Sequence, residues 1–346
     1  MIERKLSTLA LLFTFVFAVA ANAQEHTIIA LSHSDHTVYE VDPNSGKILS
    51  QFKAEHEPHE GAVSPDGKTV YASIPSAGHV VVLDATQGLR LIKKIESDYF
   101  KRAPRTKPGV EGAPAGGTNS LPHGVALNTD GSKLYITVQW AEVPGIVVYD
   151  TRAGKVLKKI DIVLDGGRQL AVDSRTEKLY YPMYDDDRVV VIDAKADKVL
   201  KIIPVAAKPV SVDFIDGTEA WIQSDGDGSV TVIDTRTDEV VKRIPTGGNG
   251  TGRAAVSPDG RYVASTHSGS GDVAIIDAKN KTVLGTVPIG GLVYPVFSPD
   301  SSKLYVMHNK PEGGISVVDP KTLKVVAEYK VGTMPFGGTV RYTKGR

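Results

Sequence analysis

The sequence contains no cysteine. That excludes disulfides, thiolate metal sites, iron–sulfur clusters, thioester chemistry and lipidated-cysteine anchors. It has no excess charge of either sign, with 40 Lys and Arg against 40 Asp and Glu. No global field therefore draws the chain to nucleic acid or to an anionic membrane, and neither partner is expected. Aromatics make up 7% of the 346 residues, and tryptophan occurs only at Trp140 and Trp221. There is no Gly-x-Ser-x-Gly elbow, no phosphate-binding loop and no dinucleotide fingerprint after a strand, so no nucleotide cofactor is expected. Past the first two dozen residues, long hydrophobic runs and helical periodicity are both missing.

The one long apolar run is at the start. Arg4 and Lys5 precede Leu9 to Ala20, which is followed by Ala21-Asn22-Ala23. A basic start, a short apolar core and an A-x-A end are the parts of a secretory signal peptide. The core is short of the roughly 20 residues a spanning helix needs. Residues 1–23 are therefore expected to be removed, leaving 24–346 as a periplasmic or secreted protein with no membrane span.

The rest of the chain repeats. A short β-branched strand ends in Asp seven times, at Asp42, Asp84, Asp150, Asp193, Asp234, Asp277 and Asp319. Five of the six gaps run from 41 to 43 residues, and the gap between Asp84 and Asp150 is 66. Each unit reads as four strands. The first ends in a turn such as Ala62–Gly67 (AVSPDG) or Ala126–Gly131 (ALNTDG). There Pro presets one dihedral, while Asp-Gly supplies a side-chain cap and a positive φ. A second strand follows (VYAS, LYIT, LYYP, LYVM), and the third ends in the Asp, whose carboxylate can cap the next turn. The fourth is amphipathic, as in KVLKKI or EVVKRI.

Four-stranded units at this period predict an all-β fold, a single seven-bladed β-propeller. The chain begins mid-unit, with His26–Ser32 in the second-strand place, and ends on a first-strand-like segment, Phe336–Tyr342. Pairing the two would close the ring and remove its exposed edges. The mature chain is expected to be one monomeric domain.

Pro-x-x-x-Ala-Val-Ser-Pro-Asp-Gly-Lys-x-Val-Tyr, followed by Val-x-Val-hydrophobic-Asp-x-x-Thr, resembles the YVTN-type β-propeller repeat proteins over essentially the whole mature chain. That family is similar in architecture to the propellers of nitrous oxide reductase and haem d1 nitrite reductases, and to phosphogluconolactonase-type lactonases. The resemblance implies fold, and fold does not imply function. Trp-Asp never closes a third strand here, unlike WD40 blades. The two tryptophans are too few for the docking motifs of quinoproteins, so no PQQ is expected, and no haem either.

Eight of the nine histidines fall on one predicted rim. His59 and His123 hold the same repeat position, each after a proline, at the start of the innermost strand. His33, His267 and His308 lie just past the second strand, with His36, His56 and His79 farther out. The five inner histidines are candidate ligands for a transition metal such as copper or zinc, since imidazole suits both. His59 and His123 are also candidate proton carriers for acid–base catalysis, as in a lactonase-like enzyme. Arg168 occupies the His59 position in unit four, and Arg253 lies one residue beyond it in unit six. Together they could hold a carboxylate or phosphate. Glu60 counts as a ligand-contacting candidate, although beside Glu55 and Glu57 it reads as part of a solvated acidic edge.

The extra length falls at about 97–121, on the same rim, as a basic and aromatic segment including Tyr99 and Arg102. A long loop in a compact repeat fits a lid, here one suited to an anion. The leading expectation is a propeller that binds a small ligand, a metal or a protein partner at this rim. An enzyme using the same rim, with metal-dependent redox, hydrolytic or lactonase-like chemistry, is the alternative. A protein-interaction scaffold is the third.

Overall fold

In the computed structural model, residues 25–100, 121–139, 144–162, 164, 166–250, 252–291, 293–310 and 312–343 are described. The expected signal peptide, Arg102 and nearly all of the expected lid lie outside them.

The described residues form seven four-stranded antiparallel sheets, the blades of a β-propeller. In six blades the strands follow chain order from the channel outward. Their innermost strands are Gly61–Val63, Leu121–Leu127, Ala171–Asp173, Pro209–Ile215, Ala254–Val256 and Val293–Phe297, for blades 2 to 7. Blade 1 closes the ring as the sequence predicts. The C-terminal strand Pro335–Tyr342 takes its innermost place and pairs with His26–Ser32, from His26 against Tyr342 to Ser32 against Pro335. Apart from the two 3-10 turns Pro75–Ala77 and Asp98–Phe100, no helix occurs among the described residues, and none is long and apolar enough to cross a membrane.

Period-two alternation explains how the blades cohere. On the second strand of blade 2, Val70, Ala72 and Ile74 pack toward blade 1, whereas Tyr71 packs toward blade 3. Both faces are covered, so second and third strands read as continuous apolar runs. Each of the seven interfaces between neighbouring blades has its own core. At the closing interface, Ile28 and Ala30 of blade 1 meet Tyr305 and Met307 of blade 7. Outermost strands cover only one face, leaving Leu49, Ile92 and Val326 about half exposed on strands that also carry lysines, as suits an edge strand.

The turns are built as their residues require. In all seven blades the Asp ending the third strand accepts from backbone N–H groups two or three residues on, for example Arg152 and Ala153 on Asp150 and Lys195 and Ala196 on Asp193. In the Ser-Pro-Asp-Gly turns the Asp takes the N–H two residues ahead and the Ser Oγ takes the N–H five ahead. Gly67 and Gly260 there have φ near +70° and +68°, and Ser301 adopts +61° at the corresponding place in blade 7.

Candidate functional site at the channel mouth

The first strand has only three residues in blades 2, 4 and 6, but bonding to the second strand continues ahead of it. The His59 N–H donates to Ser73 O, and the Arg168 N–H to Pro182 O. Arg253 donates its N–H to Thr266 Oγ1. These bonds fix the height of each residue on its blade. His59, His123 and Arg168, each three residues ahead of an alanine at one repeat place (Ala62, Ala126, Ala171), stand at one level on three successive blades. Phe336 of blade 1 takes the same level.

Side chains from these blades meet at one mouth of the channel. The His59 and His123 rings lie 4.1 Å apart between centroids. Phe336 is 4.8 Å from the His59 ring, and His33 is 6.0 Å from it. Close backbone approach makes this clustering sterically workable. A Cβ on Gly337 would fall 2.3 Å from the His59 carbonyl oxygen, and one on Gly124 would fall 2.9 Å from the Arg168 carbonyl oxygen.

One residue deeper, a second level spans the channel. Glu60, Gln169, Arg253 and Tyr294 come from blades 2, 4, 6 and 7, each two residues ahead of the corresponding Ala or Val. Arg253 Nη2 donates to Glu60 Oε1 at 2.8 Å, and the Tyr294 hydroxyl donates to Glu60 Oε2 at 3.0 Å. Gln169 Nε2 reaches the Tyr294 oxygen at 3.4 Å, and the Arg253 guanidinium lies 5.6 Å from the Tyr294 ring centroid. The Glu60 and Arg253 side chains are 3% and 7% exposed. Glu60 is thus no part of a solvated acidic edge, unlike its neighbour Glu55, which is half exposed. The chain buries Glu60 because a guanidinium from across the ring compensates its charge.

This layer divides the channel. Beneath it a cavity of about 770 Å³ opens toward the opposite rim, lined by Gly61, Gln169, Arg253 and Tyr294 at its inner end and by turn residues such as Arg175 and Asp259. That hollow does not reach His59 or His123.

The electrostatics at the mouth favour neutral imidazoles. Burial, then the charge of Arg253, with His33 and Arg168 behind it, lowers the His59 pKa to about 3. Burial first, then His59 and the two guanidiniums, holds His123 well below its ordinary value. Burial and Arg253 also lower Arg168. Burial pulls Arg253 down as well, but Glu60 and Tyr294 outweigh it and raise the group overall. Arg168 makes no ion pair among the described residues, and its guanidinium stacks 4.5 Å from the Tyr184 ring centroid. Four buried nitrogens here have no hydrogen-bond partner among the described residues: Nδ1 of His59 and of His123, and Nε of Arg168 and of Arg253.

The arrangement offers two kinds of chemistry. Ligand atoms of His59, Glu60 and His123 all lie within 4.8 Å of one another, close enough to share one ion. The same neighbourhood holds two guanidiniums, of which only Arg253 has a carboxylate partner, and this suits an anion.

The predicted five-histidine arc comes together only in part. His33, His59 and His123 meet, but His267 and His308 turn away, His267 between its own blade and the end of blade 5 and His308 into blade 7. His267 is fully buried, with Nδ1 2.7 Å from Asp272 and Nε2 2.7 Å from Thr246 Oγ1. His308 Nε2 lies 3.3 Å from Glu328 on the outermost strand of blade 7. Both are the last residues of their second strands rather than lying just past them, and their side chains follow strand alternation away from the channel axis. Tyr99 also lies apart. It is 44% exposed beside Lys159 of an outermost strand, while its neighbour Phe100 is buried between blades 2 and 3. The sequence reading missed Tyr294, Gln169, Phe336 and Tyr184. Aligning the repeats column by column would have shown the polar column of Glu60, Gln169, Arg253 and Tyr294.

No family model and no curated protein matches the chain. Solved structures do. A functionally unknown protein from Desulfotomaculum acetoxidans DSM 771 is similar at a TM-score of 0.74 and 14% identity, over 92% of this chain and 99% of that one. Kuenenia stuttgartiensis hydrazine synthase is similar at 0.65 and 19% identity, over 82% and 89%. Dihydro-heme d1 dehydrogenase NirN in complex with DHE is similar at 0.60 and 15%, over 90% and 74%. The chain shares their β-propeller fold. At these identities the likeness is one of fold alone, and the propeller's own mouth residues must carry any functional argument.

Proposed function

We propose that this is an exported propeller that binds a small ligand at the histidine-bearing mouth of its channel. One observation carries the reading: four buried nitrogens without partners gather there, from His59, His123, Arg168 and Arg253. A buried donor or acceptor left unsatisfied costs about 1–3 kcal/mol. Native proteins keep such groups where something else completes them. Other buried side-chain atoms without a partner, such as Trp221 Nε1 and Thr231 Oγ1, sit within the sheets of the blades.

A second reading is a metal centre, favoured by the convergence of His59, His123 and Glu60. Neutral imidazoles are good ligands at neutral pH, and Arg253 and Tyr294 would orient the carboxylate as outer-shell partners do. Copper or zinc would suit such donors. Two guanidiniums nearby oppose a dication, and Glu60 already accepts on both oxygens. The metal reading therefore stands second, as does an enzyme that would use the neutral imidazoles as bases.

The test is native mass spectrometry and metal analysis of the mature protein, purified without a His tag, beside a His59→Ala/His123→Ala variant. A co-purifying or added small ligand held by the wild type and lost in the variant supports the reading. A ligand held equally by both moves the site away from this mouth, and stoichiometric metal lost in the variant makes the centre metallic.

A further inference from the structure

The charges and surfaces around the mouth narrow the ligand further. We propose that the ligand is a monocarboxylate, its carboxylate taken by Arg168 with the ring nitrogens of His59 and His123, and its apolar body laid against Phe336. The proposal rests on the small-ligand reading above and adds the ligand's class.

Charge balance comes first. Glu60 compensates Arg253 at 2.8 Å, with both side chains nearly excluded from solvent. Arg168 makes no close ion pair among the described residues; Asp185 and Asp225 act on it only at longer range, and its Nε has no hydrogen-bond partner there. A carboxylate would give it a close ionic partner. A dianion such as sulfate adds a second charge to be taken out of water and has no apolar body to set against Phe336.

Donor geometry comes second. The Arg168 guanidinium lies over the Tyr184 ring, 4.5 Å from its centroid, and its buried Nε has no partner among the described residues; the planar edge of a guanidinium is the part that matches a carboxylate bidentately. The Nδ1 of His123, on the next blade, is buried and unpartnered, and the side chain is only 5% exposed. The His59 ring follows 4.1 Å away. An imidazole carries at least one N–H donor in either protonation state, so each ring can donate to oxygen.

The wall comes third. Phe336 is only partly buried and stands 4.8 Å and 5.9 Å from the His59 and His33 rings. An apolar side chain at the mouth of a polar site gives a non-polar ligand body something to cover.

The experiment is isothermal titration of the mature protein at pH 7.5 with acetate, benzoate, sulfate, inorganic phosphate and zinc chloride. The proposal expects the carboxylates to bind, with benzoate tighter than acetate and sulfate at least about tenfold weaker than benzoate. Arg168→Gln should weaken both carboxylates by about 10- to 100-fold, the loss of a charge-assisted pair. Phe336→Ala should weaken benzoate and leave acetate unchanged, and circular dichroism checks that each variant folds. Carboxylate binding that survives Arg168→Gln in a folded protein, or sulfate binding as tightly as benzoate, overturns the proposal. Absence of carboxylate binding alongside zinc or another ligand that depends on His59 and His123 also overturns it, while leaving the small-ligand reading in place. Absence of any ligand dependent on those histidines removes both.

Discussion

The two rims of this propeller use polar residues in opposite ways. On the turn rim the same bond recurs in every blade, with the Asp at the end of the third strand capping the N–H groups that follow it. At the histidine mouth one repeat position carries Phe336, His59, His123 and Arg168 on successive blades, and the level beneath it joins residues 193 and 234 positions apart. The turn rim repeats because its bonds are local and serve the fold. The mouth departs from the repeat, and its partners either lie across the ring or are missing among the described residues. Deviation from an internal repeat is thus the better guide to function here, since a residue needed for blade geometry alone would recur.

Breaking the cross-channel layer should have the largest effect. Glu60→Ala leaves the buried Arg253 guanidinium uncompensated and should cost about 3–5 kcal/mol in urea unfolding. Glu60→Leu/Arg253→Met, which removes both charges, should recover much of that loss. If the single and double variants are equally destabilised, the ion pair is not what holds the layer.

Acid should act on the mouth next. Histidine in the unfolded chain titrates near 6.5, whereas the folded His59 stays neutral down to about 3 and His123 is also held well below the ordinary value. Between those limits the unfolded state binds more protons, so stability is full above pH 6.5 and falls as pH drops toward about 3. A His59→Gln/His123→Gln variant should show a shallower loss of Tm over that window. An unchanged acid limb would place the titrating groups elsewhere.

Close packing at the mouth ranks third. Gly337→Ala would push a methyl group into the His59 carbonyl oxygen and should cost about 1–3 kcal/mol by thermal denaturation. It should also displace His59 and weaken any ligand held there. The turn rim should prove the most forgiving. Asp150→Ala removes two backbone caps from one exposed turn, and should cost about 1 kcal/mol with no change in ligand binding. A loss near that of Glu60→Ala would erase the contrast between the rims.

Most of the fold was legible because its signals are short-range. The Ser-Pro-Asp-Gly turns, the Asp ending each third strand and the 41–43-residue period all report interactions within one blade, and the observed turn bonds are those their residue types allow. Ring closure was legible too, since a lone second strand at one end and a lone first strand at the other are complementary. The site was legible only in part. The shared position of His59, His123 and Arg168 could be read from spacing, but the inward turn of His33 and the outward turn of His267 and His308 could not. Glu60 shows the limit most clearly: beside Glu55 and Glu57 in sequence it looks solvated, and its partner lies 193 residues away.

The sequence by itself determined seven blades, their strand order, the closing pair and the rim on which the histidines stand. Local hydrogen-bond register sets the height of each residue on its own blade, so repeat spacing suffices. Only the tertiary structure decided which side chains meet. Contact across the channel depends on the ring's radius, the tilt of each blade and the rotamers chosen at its mouth. Those are set jointly by seven interblade cores that no single repeat contains.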